Sequence, residues 1–149
     1  MTWHDARQFC LTQGAHLMDI NNEEESNNIA KYLDGLKFKS NYWIGYNDLV
    51  KENDFRWSDG SMAKFTNWYK NPSNDHTEPN NAGGKEDCTA VYRNYNNTWN
   101  DYNCASWQLL FMCEKSKGKP WCALCIYSNS RTWRCHFHKP FCLLNFAKL

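Results

Sequence analysis

Glu78-Pro79-Asn80, then Gly83-Gly84-Lys85-Glu86-Asp87-Cys88, then Trp99-Asn100-Asp101-Tyr102-Asn103-Cys104, follow one another within residues 78–104. Glu78, Glu86 and Asp101 offer carboxylates, and Asn80 and Asn100 offer amide carbonyls. These are hard oxygen donors, which suit Ca²⁺ rather than zinc or copper. Five side chains and a backbone carbonyl such as that of Asp101 would supply about six of the six to eight oxygens that calcium takes. About two positions would stay open for oxygens from outside. A solvated surface turn rich in Asn, Asp and Gly would account for any one of these triplets. Three in order, interleaved with two cysteines, point to a metal site.

The pattern resembles the sugar-binding signature of C-type lectin domains of the mannose type. The resemblance implies that Glu78, Asn80, Glu86, Asn100 and Asp101 hold a principal calcium and present its open positions to two neighbouring hydroxyls of a sugar. It also implies a cis Glu78–Pro79 bond, with both flanking side chains turned toward the metal. Glu78 accepts hydrogen bonds, whereas the Asn80 amide donates them. That order fits the vicinal hydroxyls of mannose, glucose or N-acetylglucosamine, and an equivalent pair on fucose; galactose-type relatives resemble Gln-Pro-Asp instead. Ala82, Gly83 and Gly84 supply no aromatic wall for a galactose ring. By the same resemblance Asp48, Glu52, Asn81 and Asp87, with the backbone of Glu86, would form an auxiliary calcium site. His76, two residues before Glu78, reads as an inert loop histidine, and Asn96-Asn97-Thr98 is an N-glycosylation sequon.

Outward from this stretch, local signals predict an α+β domain. Thr2 caps a helix through about residue 13, with Trp3, Ala6, Phe9 and Cys10 on one face and Gly14 ending it. Leu17 to Ile20 reads as a short strand. Asn22 caps a second helix whose acidic first turn, Glu23-Glu24-Glu25, suits a helix N-terminus. Ile29, Ala30 and Leu33 give that helix its apolar face, and Gly35 stops it. Tyr42-Trp43-Ile44-Gly45 reads as a buried strand with a close backbone approach at the glycine. Phe55-Arg56-Trp57, Thr89 to Tyr92, Thr98-Trp99 and Leu109 to Cys113 read as further strands, and 61–82 as a long functional loop. The resemblance implies the C-type lectin fold: two helices packed on small antiparallel sheets with a long calcium-binding loop. The first strand of that fold is expected to be missing from this chain, leaving Leu109–Met112 as an open edge.

Cysteine arithmetic leaves three pairings open among Cys10, Cys88, Cys104 and Cys113. The resemblance selects Cys10–Cys113 and Cys88–Cys104. The remaining four, Cys122, Cys125, Cys135 and Cys142, lie in a tail with His136 and His138, where disulfides are favoured over zinc. Charge marks the boundary. Residues 1–114 carry ten Lys/Arg and sixteen Asp/Glu, a net −6, while residues 115–149 carry seven Lys/Arg and no acid, a net +7. Residues 1–115 are therefore expected to be the recognition domain, and 116–149 a basic, poorly structured, cysteine-rich extension.

A net charge of +1 favours neither nucleic acid nor a membrane surface as partner. Eight cysteines and a sequon indicate an oxidising, extracellular compartment, so the chain is expected to be an N-terminally shortened piece of a secreted or anchored protein. A nucleophile elbow, a His-Glu-x-x-His pair and a paired acid/base setting are all missing, so no enzyme is expected. Two classes remain: a calcium-dependent glycan-binding module, or a lectin-like module that binds protein or lipid and keeps only structural calcium.

Overall fold

Two side-chain caps start the two helices of this computed structural model, which describes residues 1–115 and the backbone of residues 122–127 and 133–138. Thr2 Oγ1 accepts from the Asp5 amide at 3.2 Å, and helix α1 runs Trp3–Thr12. Asn22 Oδ1 accepts from the Glu25 amide at 2.8 Å, and α2 runs Glu23–Gly35. Each cap satisfies an amide that has no partner in the first turn of a helix. Trp3, Ala6 and Cys10 of α1 are buried, as are Ile29, Ala30 and Leu33 of α2, at the spacings the sequence predicts.

The strands are β1 (His16–Leu17), β2 (Tyr42–Asn47), β3 (Cys88–Tyr92), β4 (Thr98–Tyr102), β5 (Leu110–Glu114), β6 (Cys122–Tyr127) and β7 (Trp133–His138). They form one sheet in the order β4-β3-β2-β5-β6-β7, with β1 also pairing with β5. The sheet is mixed rather than antiparallel throughout, because β2 and β5 run parallel, Tyr42 opposite Leu110 and Trp43 opposite Phe111. Strand β1 is shorter than Leu17–Ile20, although Ile20 is still fully buried. Phe55-Arg56-Trp57 makes only a single bridge, Arg56 to Asn47, since turns crowd it on both sides.

The edge expected to be open at β5 is paired: β6 lies antiparallel to it, Phe111 opposite Cys125 and Glu114 opposite Cys122. Strand β7 continues the sheet, with Cys125 opposite Cys135. The rest of the tail, and the bonding of Cys122, Cys125, Cys135 and Cys142, lie outside the described residues.

Strand β2 is the axis of the core. Trp43 and Ile44 are fully buried, and the Trp3 indole donates to the Ile44 carbonyl at 2.9 Å. On one side Trp3, Ala6, Leu17, Trp43 and Phe111 pack together. On the other, Tyr46, Trp57 and Trp99 pack with Phe55, Phe65 and Trp68, which carry the long loop. The disulfides are Cys10–Cys113 and Cys88–Cys104. The first closes a sequence separation of 103 residues, a constraint worth roughly 4–5 kcal/mol in chain-entropy terms. At the far end of the sheet Arg93 fastens the β3–β4 turn to α2. Its guanidinium donates to Asp34 at 2.8 Å, to the Phe38 carbonyl at 3.1 Å and to Asn97.

Candidate metal and sugar site

The long loop returns to the sheet through backbone pairing. The Tyr69 amide donates to the Trp99 carbonyl at 2.8 Å, and the Glu78 amide to the Tyr69 carbonyl at 2.9 Å. This lays Glu78 beside β4, the strand that carries Asn100 and Asp101. The Glu78–Pro79 bond is cis. The Asp101 carboxylate reaches back, accepting from the Asn80 amide at 3.1 Å and the Asn81 amide at 2.7 Å. Glu86 closes the next turn by accepting from the Ala82 amide at 2.9 Å. These bonds tie Asn80 and Asn81 to Asp101, lay Glu78 along the strand that carries Asn100 and Asp101, and hold Glu86 to the turn that follows Asn81. Cys88–Cys104 braces the group, with Cys88 directly opposite Tyr102 in the ladder.

Burial makes this group electrically uncomfortable. Glu78 leaves only 4% of its side chain exposed, and Asp101 is fully buried. Burial pushes the Glu78 carboxyl up to about 7, and the adjacent Asp101 adds to the effect while His76 opposes it. Burial also raises Glu86, again with Asp101 contributing. Two oxygens of the group, Glu78 Oε2 and Asn100 Oδ1, are buried without a hydrogen-bond partner. Buried acceptors rarely stay unsatisfied, and hard oxygen donors of this kind suit a divalent cation with oxygen preference. Among the described residues no three His, Cys, Asp or Glu side chains stand together as a metal-holding group. Two members of this set are amides, and the carboxylates are turned onto backbone amides and His76.

The Asp48 amide donates to the Asp87 carbonyl at 3.1 Å, and the Asp48 side chain is buried with Oδ1 unpartnered. Burial raises the Asp48 carboxyl to about 6, with the carboxylates of Glu52 and Asp87 adding to the rise. The Asn81 side chain is held by the neighbouring turn, its Oδ1 accepting from the Glu86 amide at 3.0 Å.

His76 is not the inert residue its sequence position suggests. Its Nε2 lies 2.9 Å from Glu78 Oε1, leaving Oε2 as the free acceptor. A short finger places it there: Lys70 bridges to Thr77, and the Asn71 amide donates to the His76 carbonyl at 2.9 Å. The two-residue spacing to a predicted ligand was the available signal. Asn96 of the sequon is exposed at the tip of the β3–β4 turn, with φ 59°.

The family described as Lectin C-type domain matches residues 1–115. A perlucin-like protein from Mytilus galloprovincialis is 35% identical over 113 residues, covering 74% of this chain and 68% of the relative. A C-type lectin of the lectoxin kind from Thrasops jacksonii is 40% identical over 110 residues, 70% of this chain and 65% of that protein's own length. Among solved structures, the C-type lectin CEL-I from Cucumaria echinata superposes with a TM-score of 0.67 at 26% identity, covering 76% of this chain and 81% of that one. The carbohydrate-recognition domain of cow CD23, solved in the presence of a GlcNAc2Man3 oligosaccharide, gives 0.62 at 30% identity, covering 76% and 78%. Homologues of this kind suggest carbohydrate binding in general, and the lectin family and fold are non-enzymatic. The two helices, the mixed sheet, the two disulfides and the match over residues 1–115 agree: this chain belongs to the C-type lectin domain family.

Proposed function

We propose that this chain is a calcium-dependent lectin module that takes mannose-type sugars (mannose, fucose or N-acetylglucosamine) through a pair of vicinal hydroxyls. The observation that carries the reading is the pair of buried, unpartnered oxygens, Glu78 Oε2 and Asn100 Oδ1, one from each half of the motif. Glu78, Asn80, Glu86, Asn100 and Asp101 would hold the principal calcium; Asp48, Glu52, Asn81 and Asp87 are the candidates for a second. Bound calcium supplies positive charge and open coordination positions for hydroxyl oxygens.

The side chains do the rest. The Glu78 carboxylate accepts from a sugar hydroxyl, and the Asn80 amide donates to its neighbour, so the pair reads hydroxyl direction. His76 holds Glu78 Oε1 and fixes the orientation of the carboxylate. Ala82, Gly83 and Gly84 are exposed, and the space beside the two glycines is open, so nothing there would stack on a galactose face. Residues 1–115 constitute the recognition unit in this reading, 116–149 a basic extension, and the working compartment is extracellular. The test is retention on immobilised mannose in calcium with elution by EDTA. Retention unchanged by chelator would sink the mechanism.

A further inference from the structure

Beside the principal site an aromatic surface starts at His76 and leads away from it. The His76 ring, half exposed and held on Glu78, lies 6.2 Å from the Tyr69 ring, centroid to centroid. Tyr69 stands edge-on to Tyr95 at 4.9 Å, and Tyr95 meets Tyr92 at the same distance. Tyr95 is 48% exposed, a large ring left open to solvent at the tip of a turn. Core packing does not account for it, since the buried aromatic cluster is made by Tyr46, Trp57 and Trp99 beneath. Nor is the turn loose. Thr98 Oγ1 donates to the Tyr95 carbonyl at 2.6 Å, and Arg93 binds Asn97 and Asp34. Tyr69 is fixed by backbone bonds to Trp99 and Glu78. Rings held in place beforehand lose little freedom when a ligand arrives.

We propose that Tyr69, His76 and Tyr95 form a second saccharide subsite, which takes the sugar next to the one held at Glu78 and Asn80. A pyranose ring has an apolar C–H face that rests on aromatic rings and a polar edge that seeks amides. Here the exposed Asn94 adjoins Tyr95. Continuity selects the occupant: the platform begins at the histidine that touches Glu78, so a glycan leaving the principal site toward the 70–77 finger meets it at once. The ligand class is thus a mannose-type oligosaccharide rather than a single terminal sugar. This rests on the proposed calcium-dependent reading of the principal site.

The experiment compares binding of methyl α-mannoside and α-linked mannobiose by isothermal titration in calcium, for wild type, Tyr95→Ala and Tyr95→Trp. Wild type should bind the disaccharide roughly three- to tenfold tighter than the monosaccharide. Tyr95→Ala should bring that ratio close to one, and Tyr95→Trp should keep it. The wild-type ratio needs no variant to fold. If it is close to one while the monosaccharide still binds in calcium, the subsite is overturned and the principal reading stands. A ratio preserved in Tyr95→Ala also overturns the subsite. If neither sugar binds wild type in calcium, both readings fall.

Discussion

Gly45 presents its bare α-carbon to the carbonyl of Leu17: a Cβ built there would sit 2.9 Å from that oxygen, and 3.0 Å from both Asp19 Oδ1 and Ser58 Oγ. The nearest of these is backbone, held in β1, so it has little room to yield. Strand β2 thereby lies close against β1 and the turn at Ser58, whose hydroxyl donates to the Gly45 carbonyl at 2.9 Å.

Gly45→Ala should accordingly destabilise the domain by about 1–3 kcal/mol, the usual range for overpacking a fitted core. Thermal denaturation with and without the substitution checks this. A melting temperature unmoved by the methyl group would mean that β1 retreats freely.

Asp19 should make stability fall with rising pH. Its carboxyl is pushed up to about 7 by burial, with His16 opposing and Glu114, Asp59 and Glu25 adding to the rise. The folded form therefore holds a proton that the unfolded chain, with an ordinary value near 3.8, has released. This contribution is complete below the ordinary carboxylate range and is lost as pH climbs through about 7. Asp19→Asn should remove up to about one proton from the difference between the two states. Its melting temperature should then decline less from pH 5 to pH 8 than that of wild type. Equal slopes would place the proton elsewhere.

Calcium should stabilise the fold. A ligand that binds only the native state at about a hundred times its Kd adds about 2.7 kcal/mol, or roughly 5–10 °C at this size. Scanning calorimetry in millimolar calcium and in EDTA measures the difference. Asn100→Ala removes one of the two unpartnered acceptors and should shrink the calcium-induced shift by at least half. A full shift in that variant would locate the stabilising ion away from Asn100.

Glu78→Gln together with Asn80→Asp tests how the sugar is read. One carboxylate is removed and one is added, so local charge and oxygen count are kept while donor and acceptor trade places. Each mispaired contact costs about 1–3 kcal/mol, so preference should move from mannose toward galactose. The gain for galactose should be small, because Ala82 to Gly84 give its ring nothing to rest on. Competition titrations decide the matter. A variant that binds calcium yet ranks the two sugars by the original margin would show that these residues do not choose between them.

What the sequence revealed depended on how local the cause was. Thr2 and Asn22 act on amides three residues away, so both helix starts could be read directly. Gly45 was legible as a close approach, although Leu17 as its neighbour was not. The two disulfides span 103 and 16 residues, and cysteine counting left three pairings until the family resemblance chose one. Strand β6 follows β5 in the chain and pairs with it, but the basic, linker-like composition of residues 115–120 gave no sign of that pairing. Asn81 has a left-handed backbone, φ 44°, and its side-chain oxygen accepts from the Glu86 amide, a bond that the resemblance did not specify. His76 was discounted because an exposed loop histidine usually has nothing to do. The finger that folds it onto Glu78 depends on a bridge between Lys70 and Thr77 that composition does not reveal.

The Arg93 clamp has a consequence for the way the domain breathes. Its guanidinium joins Asp34, in the last turn of α2, to Asn97, across a sequence separation of 59 residues from Asp34 to Arg93. The arginine side chain is only 3% exposed, so opening either end would strand a charge that has lost its partner in a dry place. The last turn of α2 and the turn carrying Tyr95 should therefore exchange their amide hydrogens together, as one cooperative unit. The exposed 72–75 tip of the finger, held by hydrogen bonds within residues 71–76, should exchange ahead of them both.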